Sequence, residues 1–268
     1  MKALVAVVVP VFLFAGAAHA TLFVNDNFSS FGAGPLVGQG NWTQLGASAV
    51  NPLTVTGGVV PIAGGQTVDG QDARNTFVFT AVAGSSLVVC SAINISSSST
   101  AANGTSYFLA AQESSASGFA NMRVAARQID AATYQLGIRL TGQTGNPFVW
   151  GGALNYSQSY HIMAVWDVIS GAGNDAVALY VDPTSSVRAS NVVYASAVQG
   201  VATADVAGFQ SVIISQFGNA TGVITAGMTI AGVWTGDDFG QVYSACVPSP
   251  AAGALLGLGG LLALRRRR

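Results

Sequence analysis

The stretch YHIMAVWDVISGAGNDAVALYVDP, from Tyr160 to Pro183, decides the fold class of this chain. Apolar residues alternate in it on both sides of a Gly-Ala-Gly turn, which is the pattern of a β-hairpin. In the first strand, Tyr160 to Val168, both faces are largely apolar, so we expect a central strand that is covered on both sides. We expect the second strand, Asp175 to Val181, to end before Pro183, because proline cannot donate a hydrogen bond to a β-ladder.

Short segments with the same alternation recur through the chain, separated by turns rich in Gly, Ser, Thr, Asn and Ala. No long segment has a persuasive helical period. The sequence therefore predicts one all-β domain over residues 21–243, a two-sheet antiparallel sandwich. The other predicted strands are Asn75–Val82, Ser86–Ile95, Thr105–Gln112, Ala120–Gln128, Tyr134–Thr141, Gln210–Phe217 and Met228–Trp234.

A second informative stretch is NDNFSSFGAGPLVGQGNWTQLG, from Asn25 to Gly46. Together the two stretches resemble concanavalin A-like, laminin-G-like jelly rolls. The resemblance extends from Asn25 to Val242 and implies a jelly-roll ectodomain. It also implies that the first strand begins at Asp26-Asn27-Phe28.

Charged residues make up only 8% of the chain and are unevenly placed. Between Thr21 and Cys246 there are five arginines, no lysine and eleven acidic residues, which gives this part a net charge of −6. Binding to nucleic acid needs a basic surface that releases counterions. The charge balance therefore argues against a nucleic-acid partner.

The first twenty residues have the order of a secretory signal peptide. Lys2 precedes an apolar run, and Ala18-His19-Ala20 forms the small-x-small pattern that signal peptidase recognises, with cleavage before Thr21. The alternative is a buried N-terminal strand. We expect an exported protein.

The chain ends in VPSPAAGALLGLGGLLALRRRR, from Val247 to Arg268. The apolar run 251–264 would span about 21 Å as a helix, and extending it back to Val247 brings it near the roughly 30 Å of a bilayer core. Four arginines follow directly, Arg265, Arg266, Arg267 and Arg268. They would stop transfer and stay in the cytoplasm. A surface amphipathic helix is the alternative, but the leucines leave no polar face. The pattern predicts a transmembrane helix over 251–264 in the inner membrane.

These three parts resemble the PEP-CTERM sorting signal of bacterial envelope proteins. The short motif of that family is usually Val-Pro-Glu-Pro. Here it consists of Val247, Pro248, Ser249 and Pro250, with serine in place of glutamate. The resemblance implies an exosortase-like sorting protease as partner, removal of the tail, and delivery to the cell surface or the extracellular matrix and its polysaccharide.

Residues for hydrolytic chemistry are scarce. A glycosidase needs two carboxylates across one bond, but Glu113 is the only glutamate and would have to converge with a carboxylate such as Asp167. His161 is the only histidine after the signal peptide, and no Gly-x-Ser-x-Gly elbow is present. A single histidine also cannot supply a zinc site. We therefore expect a protein that is not an enzyme.

Calcium is a candidate ligand of the early acidic residues. Asp26, and Asp69 and Asp72 in the loop TVDGQDARN, offer the hard oxygen atoms that this ion prefers. The resembled jelly rolls often carry a structural calcium. The alternative is that these acids lie in solvated turns.

Two tryptophans are candidates for contact with glycans, because sugar rings stack on exposed indoles. Trp42 follows Gly-Asn in a predicted loop, and Trp150 precedes two glycines, whereas Trp166 and Trp234 alternate with apolar neighbours and are expected in the core. These candidates favour a second hypothesis, a lectin-like carbohydrate-binding module, beside a non-enzymatic surface or matrix protein.

The chain has two cysteines, and two interpretations stay open. Cys90 and Cys246 would form a bridge in an oxidising envelope and tie the end of the domain to its core. A buried free thiol at Cys90 is the alternative.

Overall fold

The computed structural model describes residues 20–62, 70–96, 107–113, 120–140, 148–199, 206–216 and 227–247. Strands predominate within these ranges, and the predicted all-β class is confirmed. The strands are β1 (Leu22–Asn27), β2 (Gly34–Pro35), β3 (Trp42–Leu45), β4 (Thr54–Val55), β5 (Val60–Ile62), β6 (Asp72–Thr80), β7 (Ser86–Ile95), β8 (Leu109–Gln112), β9 (Ala120–Gln128), β10 (Thr133–Leu140), β11 (Val149–Trp150), β12 (Leu154–Asn155), β13 (Ser159–Asp167), β14 (Ala176–Val181), β15 (Ala195–Val198), β16 (Gly208–Ile214) and β17 (Met228–Gly236).

Most strands form two antiparallel sheets. The back sheet has the order β1-β17-β7-β13-β14-β15, with β5 also beside β17. The front sheet has the order β11-β10-β9-β8-β16-β6-β3, with β12 also beside β10. The chain crosses repeatedly between them, since β6 and β8 lie in front while β7 lies behind. The result is the predicted jelly-roll sandwich, whose core lies between the inner faces of the sheets.

The hairpin of β13 and β14 occupies the middle of the back sheet, as its sequence predicts. β13 pairs with β7 on one side and with β14 on the other. Its Ile162 and Trp166 point into the core and its Met163 and Val165 point outward, and all four are buried. Trp166 Nε1 donates to Asp175 Oδ2 at 3.0 Å, which satisfies the buried indole. The prediction of a strand covered on both faces is therefore confirmed.

A short helix, α1 (Phe239–Cys246), supplies the cover on the outer face of the back sheet. Asp238 caps the helix, because its Oδ1 accepts a hydrogen bond from Gln241 N at 2.8 Å. Phe239 and Val242 bury their side chains against the sheet. The helix continues past residue 243, the predicted end of the domain.

The disulfide between Cys90 and Cys246 fixes the end of α1 to β7. Its Cα atoms are 6.3 Å apart, within the usual range for a disulfide. Of the two interpretations of the cysteines, the structure supports the bridge.

The first strand differs from its expected position. β1 ends at Asn27, and Phe28 begins a 3-10 turn that extends to Ser30. Asn27 Oδ1 accepts a hydrogen bond from Ser29 N at 3.1 Å, which favours a turn over further extension. β1 is held in place by pairing with β17, and no local pattern reveals so distant a partner.

The described part of the chain contains no helix with the length and apolarity needed to cross a membrane. The transmembrane helix predicted over 251–264 lies outside the described residues, as do residues 1–19 of the predicted signal peptide.

Candidate functional site

Trp42, one of the two candidates for glycan contact, is a core residue. It begins β3, and only 1% of its surface is exposed. Its Nε1 donates to Asp26 Oδ2 at 2.9 Å, and its ring meets Phe28 edge-on with 5.9 Å between centroids. The structure thus corrects the expectation of an exposed ring. A strand of four residues after a glycine-rich turn shows too little alternation for the sequence to reveal which side chains point inward.

The acids proposed to bind calcium show no common site among the described residues. Asp26 also accepts a hydrogen bond from Asn75 Nδ2 at 2.8 Å, and burial raises the pKa of its carboxyl although its two hydrogen bonds lower it. Asp72 accepts from Gln216 N at 2.8 Å and precedes Asn75 on β6 by three residues, a separation of roughly 10 Å. Asp69 lies outside the described residues. Within them, no three His, Cys, Asp or Glu side chains are grouped to hold a metal. Calcium binding therefore stays a prediction.

Asp167 and Glu113, the carboxylates that a hydrolase would need together, lie in different sheets. Asp167 ends β13 in the back sheet, where it forms a bidentate ion pair with Arg188 at 2.5 and 2.7 Å. Burial raises the pKa of Asp167, but the hydrogen bonds from Arg188 and Ser86 hold it below its ordinary value. Glu113 follows β8 in the front sheet and accepts a hydrogen bond from Ala207 N at 3.1 Å. The pair therefore does not flank a common bond.

The predicted processing sites are only partly described. Thr21 N donates to Asp237 Oδ1 at 2.6 Å, and Asp237 N donates back to Thr21 O at 3.2 Å. Val247 N donates to Tyr243 O at 2.8 Å at the end of α1. Ala20 is exposed. The predicted sites that lie outside the described residues are Ala18, Pro248, Ser249, Pro250, Arg265, Arg266, Arg267 and Arg268.

Four of the five arginines between Thr21 and Cys246 lie on the outer face of the front sheet. Because side chains alternate along a strand, Arg74 on β6 points away from its buried neighbour Ala73. Arg123 and Arg127 on β9 and Arg139 on β10 point outward for the same reason. Arg74, Arg123, Arg127 and Arg139 together define the arginine face.

Three of these residues belong to one row that crosses the sheet. Arg139 lies directly opposite Arg123, which lies opposite Ala110 of β8. Ala110 lies opposite Ile213 of β16, which lies opposite Arg74. Since neighbouring strands are about 4.8 Å apart, Arg74 lies roughly 14 Å from Arg123. We call these three arginines the arginine row, and Ala110 and Ile213 form its buried apolar floor.

Aromatic rings contact the guanidinium groups of two of the three arginines in the row. The Arg123 guanidinium lies 4.5 Å from the ring centre of Tyr107, and that of Arg139 lies 5.2 Å from Phe148. Such contacts attract the cation to the face of the ring. Burial lowers the pKa of Arg123, and nearby Arg139 lowers it further although Tyr107 raises it. Both arginines are nevertheless expected to stay charged, because the ordinary pKa of arginine is far above neutral.

Trp150, the second candidate for glycan contact, lies at the edge of the arginine face. It lies opposite Gly137 of β10, and a Cβ at that glycine would stand 2.6 Å from Trp150 Cε3. The Arg127 guanidinium lies 4.3 Å from the indole centre. With its amide oxygen facing Arg127, Gln135 accepts hydrogen bonds from Nε and Nη2 at 2.6 and 2.8 Å and donates to Gly151 O at 2.8 Å. Trp150, Arg127 and Gln135 thus form a partly exposed platform of flat groups.

The outer face of the front sheet is open to solvent along β6. Thr76, Val78 and Thr80 point outward there and are exposed, Val78 by 77%. By contrast, α1 covers the outer face of the back sheet. The part of the front face along β6 is therefore accessible to a large ligand.

The number of arginines is evident from the sequence, but their position on one face of the front sheet is not. Arg123 and Arg127 are four residues apart in a predicted strand, which places them on one face. The register that sets Arg74 and Arg139 in the same row depends on pairings between distant strands. No pattern in the sequence shows these pairings.

No family model and no curated protein matches this chain. Several solved structures are similar to it. The CBM2 module of the evolved Dit protein of Lactobacillus casei BL23 phage J-1 is 8% identical, with 76% of this chain and 92% of that chain covered and a TM-score of 0.45. The endo-1,3-beta-glucanase from Streptomyces sioyaensis is 13% identical, with coverages of 83% and 98% and a TM-score of 0.40. Lectin II from Ulex europaeus is 9% identical, with coverages of 75% and 94% and a TM-score of 0.35. At such low identity these similarities identify neither a ligand nor an activity for this chain.

Proposed function

We propose that this protein is an exported, non-enzymatic component of the bacterial cell surface or extracellular matrix, and that its sandwich binds extracellular polysaccharide on the outer face of the front sheet. The platform of Trp150, Arg127 and Gln135 is the observation that carries this proposal. An indole offers an apolar face to the C–H groups of a sugar ring, while flat polar groups beside it meet hydroxyl groups.

The platform is organised before any ligand arrives. Gly137 lets the indole approach the sheet more closely than any other residue would allow. Gln135 engages two nitrogen atoms of Arg127 and so fixes its guanidinium beside the ring. Groups that are already ordered lose little conformational entropy on binding, which favours affinity for a weakly interacting glycan.

Two contacts support export. A disulfide such as Cys90–Cys246 persists in an oxidising compartment. Cleavage before Thr21 would also turn its backbone nitrogen into a charged amino group, 2.6 Å from Asp237 Oδ1. That ion pair would hold the new terminus beside β17, so the fold suits the predicted cleavage site.

The PEP-CTERM-like tail accounts for sorting in this proposal. The motif begins at Val247, directly after Cys246, so the disulfide fixes the point at which the tail leaves the sandwich. The tail would anchor the protein in the inner membrane until an exosortase-like protease removes it. Mass spectrometry of the protein recovered from its host should find Thr21 as the first residue and no arginine tail. Mature protein that retains Arg265 to Arg268 in cells with an active sorting protease would contradict this part.

The separation of two carboxylates supports a role without glycosidase chemistry. The only glutamate, Glu113, and Asp167 lie in separate sheets, and Asp167 is already bound to Arg188. Glycosidase chemistry requires two carboxylates that flank one bond. We therefore expect binding without cleavage.

Affinity electrophoresis tests the binding proposal. The wild-type sandwich, residues 21–247, would be run with neutral polysaccharides (dextran, laminarin, galactomannan) and acidic ones (polygalacturonate, alginate). At least one should retard the protein, and Trp150→Ala should weaken that binding about tenfold, which corresponds to about 1.4 kcal/mol. Tyr243→Ala is the matched control, since it removes a partly buried aromatic ring on the opposite side of the molecule. Equal binding by the Trp150 variant and the wild type would contradict the proposed site.

A further inference from the structure

The segment that carries Trp150 forms an edge of the front sheet and has an irregular register. Its two short strands, β11 and β12, both pair with β10. Between them, the three residues Gly151 to Ala153 lie opposite only two residues of β10, Gln135 and Leu136. One extra residue on one strand makes a β-bulge, which changes the direction of nearby side chains. The orientation of the Trp150 indole therefore depends on how this bulge is held.

Tyr194 holds the bulge from the back sheet. It directly precedes β15, and its backbone nitrogen donates to Leu179 O at 2.8 Å. Its hydroxyl reaches the front sheet, where it accepts a hydrogen bond from Leu136 N at 3.2 Å and donates to Gly152 O. The hydroxyl thus takes the place of a ladder carbonyl for the Leu136 N–H and ties the bulge to β10.

Two glycines allow aromatic rings to lie close to this edge. A Cβ at Gly151 would overlap the ring of Tyr194, and a Cβ at Gly137 would stand 2.6 Å from Trp150 Cε3. A larger residue at either position would displace the ring that it meets. The Tyr194 ring also packs against the core between the sheets. The bulge is therefore fixed between this ring and β10.

A continuous set of contacts joins Tyr194 to the platform. Its ring lies against Gly151, whose nitrogen donates to Leu136 O at 3.0 Å. Gly151 O in turn accepts a hydrogen bond from Gln135, which holds Arg127 beside the indole. Burial raises the pKa of Tyr194, although the hydrogen bond from Leu136 N lowers it. The hydroxyl is therefore protonated at neutral pH and can donate to the bulge.

We propose that Tyr194 is a positioning residue for glycan binding: it fixes the bulge and so sets the orientation of the Trp150 indole, without touching the glycan itself. This inference rests on the proposed function and specifies what prepares its binding site. The Tyr194 hydroxyl is already engaged by backbone groups, and its ring is partly buried against the core. A platform that is ordered in advance loses less conformational entropy on binding, so a loosened platform should bind more weakly.

The variant Tyr194→Phe keeps the ring and removes the hydroxyl, and its first test needs no ligand. The amide of Leu136 should exchange with solvent several-fold faster than in the wild type, because it loses its acceptor. The heteronuclear NOE of the Trp150 indole nitrogen should fall, because the ring moves more freely. Tyr160→Phe is the matched control, since its hydroxyl accepts from Asn155 N of β12 at 3.0 Å but does not bind the bulge. Wild-type values of both quantities in Tyr194→Phe would overturn the inference, whether or not a polysaccharide binds.

The second test measures affinity for a polysaccharide that retards the wild-type sandwich. Tyr194→Phe should bind about three- to tenfold more weakly, the range expected for the loss of one hydrogen bond, and Tyr160→Phe should bind like the wild type. In a Trp150→Ala background, Tyr194→Phe should have little further effect, because Tyr194 acts through the indole. A purely structural role would instead give independent losses that add.

Two results would overturn the inference and leave the proposed function standing. One is wild-type affinity of Tyr194→Phe under conditions in which Trp150→Ala binds weakly. The other is an equal loss of affinity in Tyr194→Phe and Tyr160→Phe, which would reveal a general effect of stability. Absence of retardation by every polysaccharide in the panel would overturn the proposed function and the inference with it, even with a loosened indole in Tyr194→Phe.

Discussion

Removal of the disulfide provides a quantitative test of how the sandwich is closed. The double variant Cys90→Ala/Cys246→Ala opens a loop that spans 156 residues of sequence. The chain-entropy relation gives about 5 kcal/mol for a loop of this length, and measured losses are typically about 2–4 kcal/mol. We therefore expect the free energy of unfolding to fall by roughly 3–5 kcal/mol.

Guanidinium denaturation measures this loss, and hydrogen exchange locates it. The midpoint should shift to lower denaturant, and the amides of α1 should lose protection first because the helix is short and depends on its contacts with the back sheet. Wild-type protein with reduced cysteines is the matched control and should behave like the variant. Polysaccharide binding should be unchanged, since α1 and the arginine face are on opposite sides of the sandwich. An unchanged midpoint, or α1 amides protected as in the wild type, would refute the reasoning.

Three further substitutions test separate parts of the account. Trp42→Phe removes the indole hydrogen bond to Asp26, so chemical denaturation should show that the free energy of unfolding falls by roughly 1–3 kcal/mol. The glycan affinity should stay unchanged, because Trp42 lies in the core. Gly137→Ala places a Cβ against Trp150, so the glycan affinity measured by titration should fall several-fold while the melting temperature changes little. Wild-type affinity in this variant would contradict the role of the platform in glycan binding. The folded-state pKa of Asp167 lies below 3.8, so its contribution to stability is present above that pH and is lost as the pH falls through the folded value. Unfolding experiments on Asp167→Asn should therefore show a flatter pH dependence below about pH 4, and a slope equal to that of the wild type would disprove the role of the ion pair.

Strands with long alternating patterns could be predicted from the sequence. β7 and β9 have the predicted bounds, Ser86–Ile95 and Ala120–Gln128, because each is a run of nine or ten residues bounded in the sequence by segments rich in Ser, Gly or Asp. The central position of β13 also followed from its two apolar faces. In these strands, local pattern and tertiary environment agree.

Elements that depend on distant partners could not be predicted. The two-residue strands β11 and β12 exist only through their pairing with β10, and their sequences carry too little periodicity to be recognised. The same limit applies to the candidate site. Trp150 was selected from its glycine-rich surroundings, but its contact with Arg127 depends on the register of three strands. Strand register is set by the buried face and by long-range pairing, which a single sequence does not display.

The indole N–H resonances test the central claim, that polysaccharide binds on the outer face of the front sheet. The chain has four tryptophans, of which Trp42, Trp166 and Trp234 are at most 6% exposed, whereas Trp150 is partly exposed on that face. Nitrogen-15 NMR spectra would be recorded while the protein is titrated with oligosaccharides of a polysaccharide that retards the wild-type sandwich. The account predicts that the Trp150 indole signal moves with ligand concentration and that the other three stay in place. A stationary Trp150 signal at saturating ligand, with shifts confined to other residues, would contradict it.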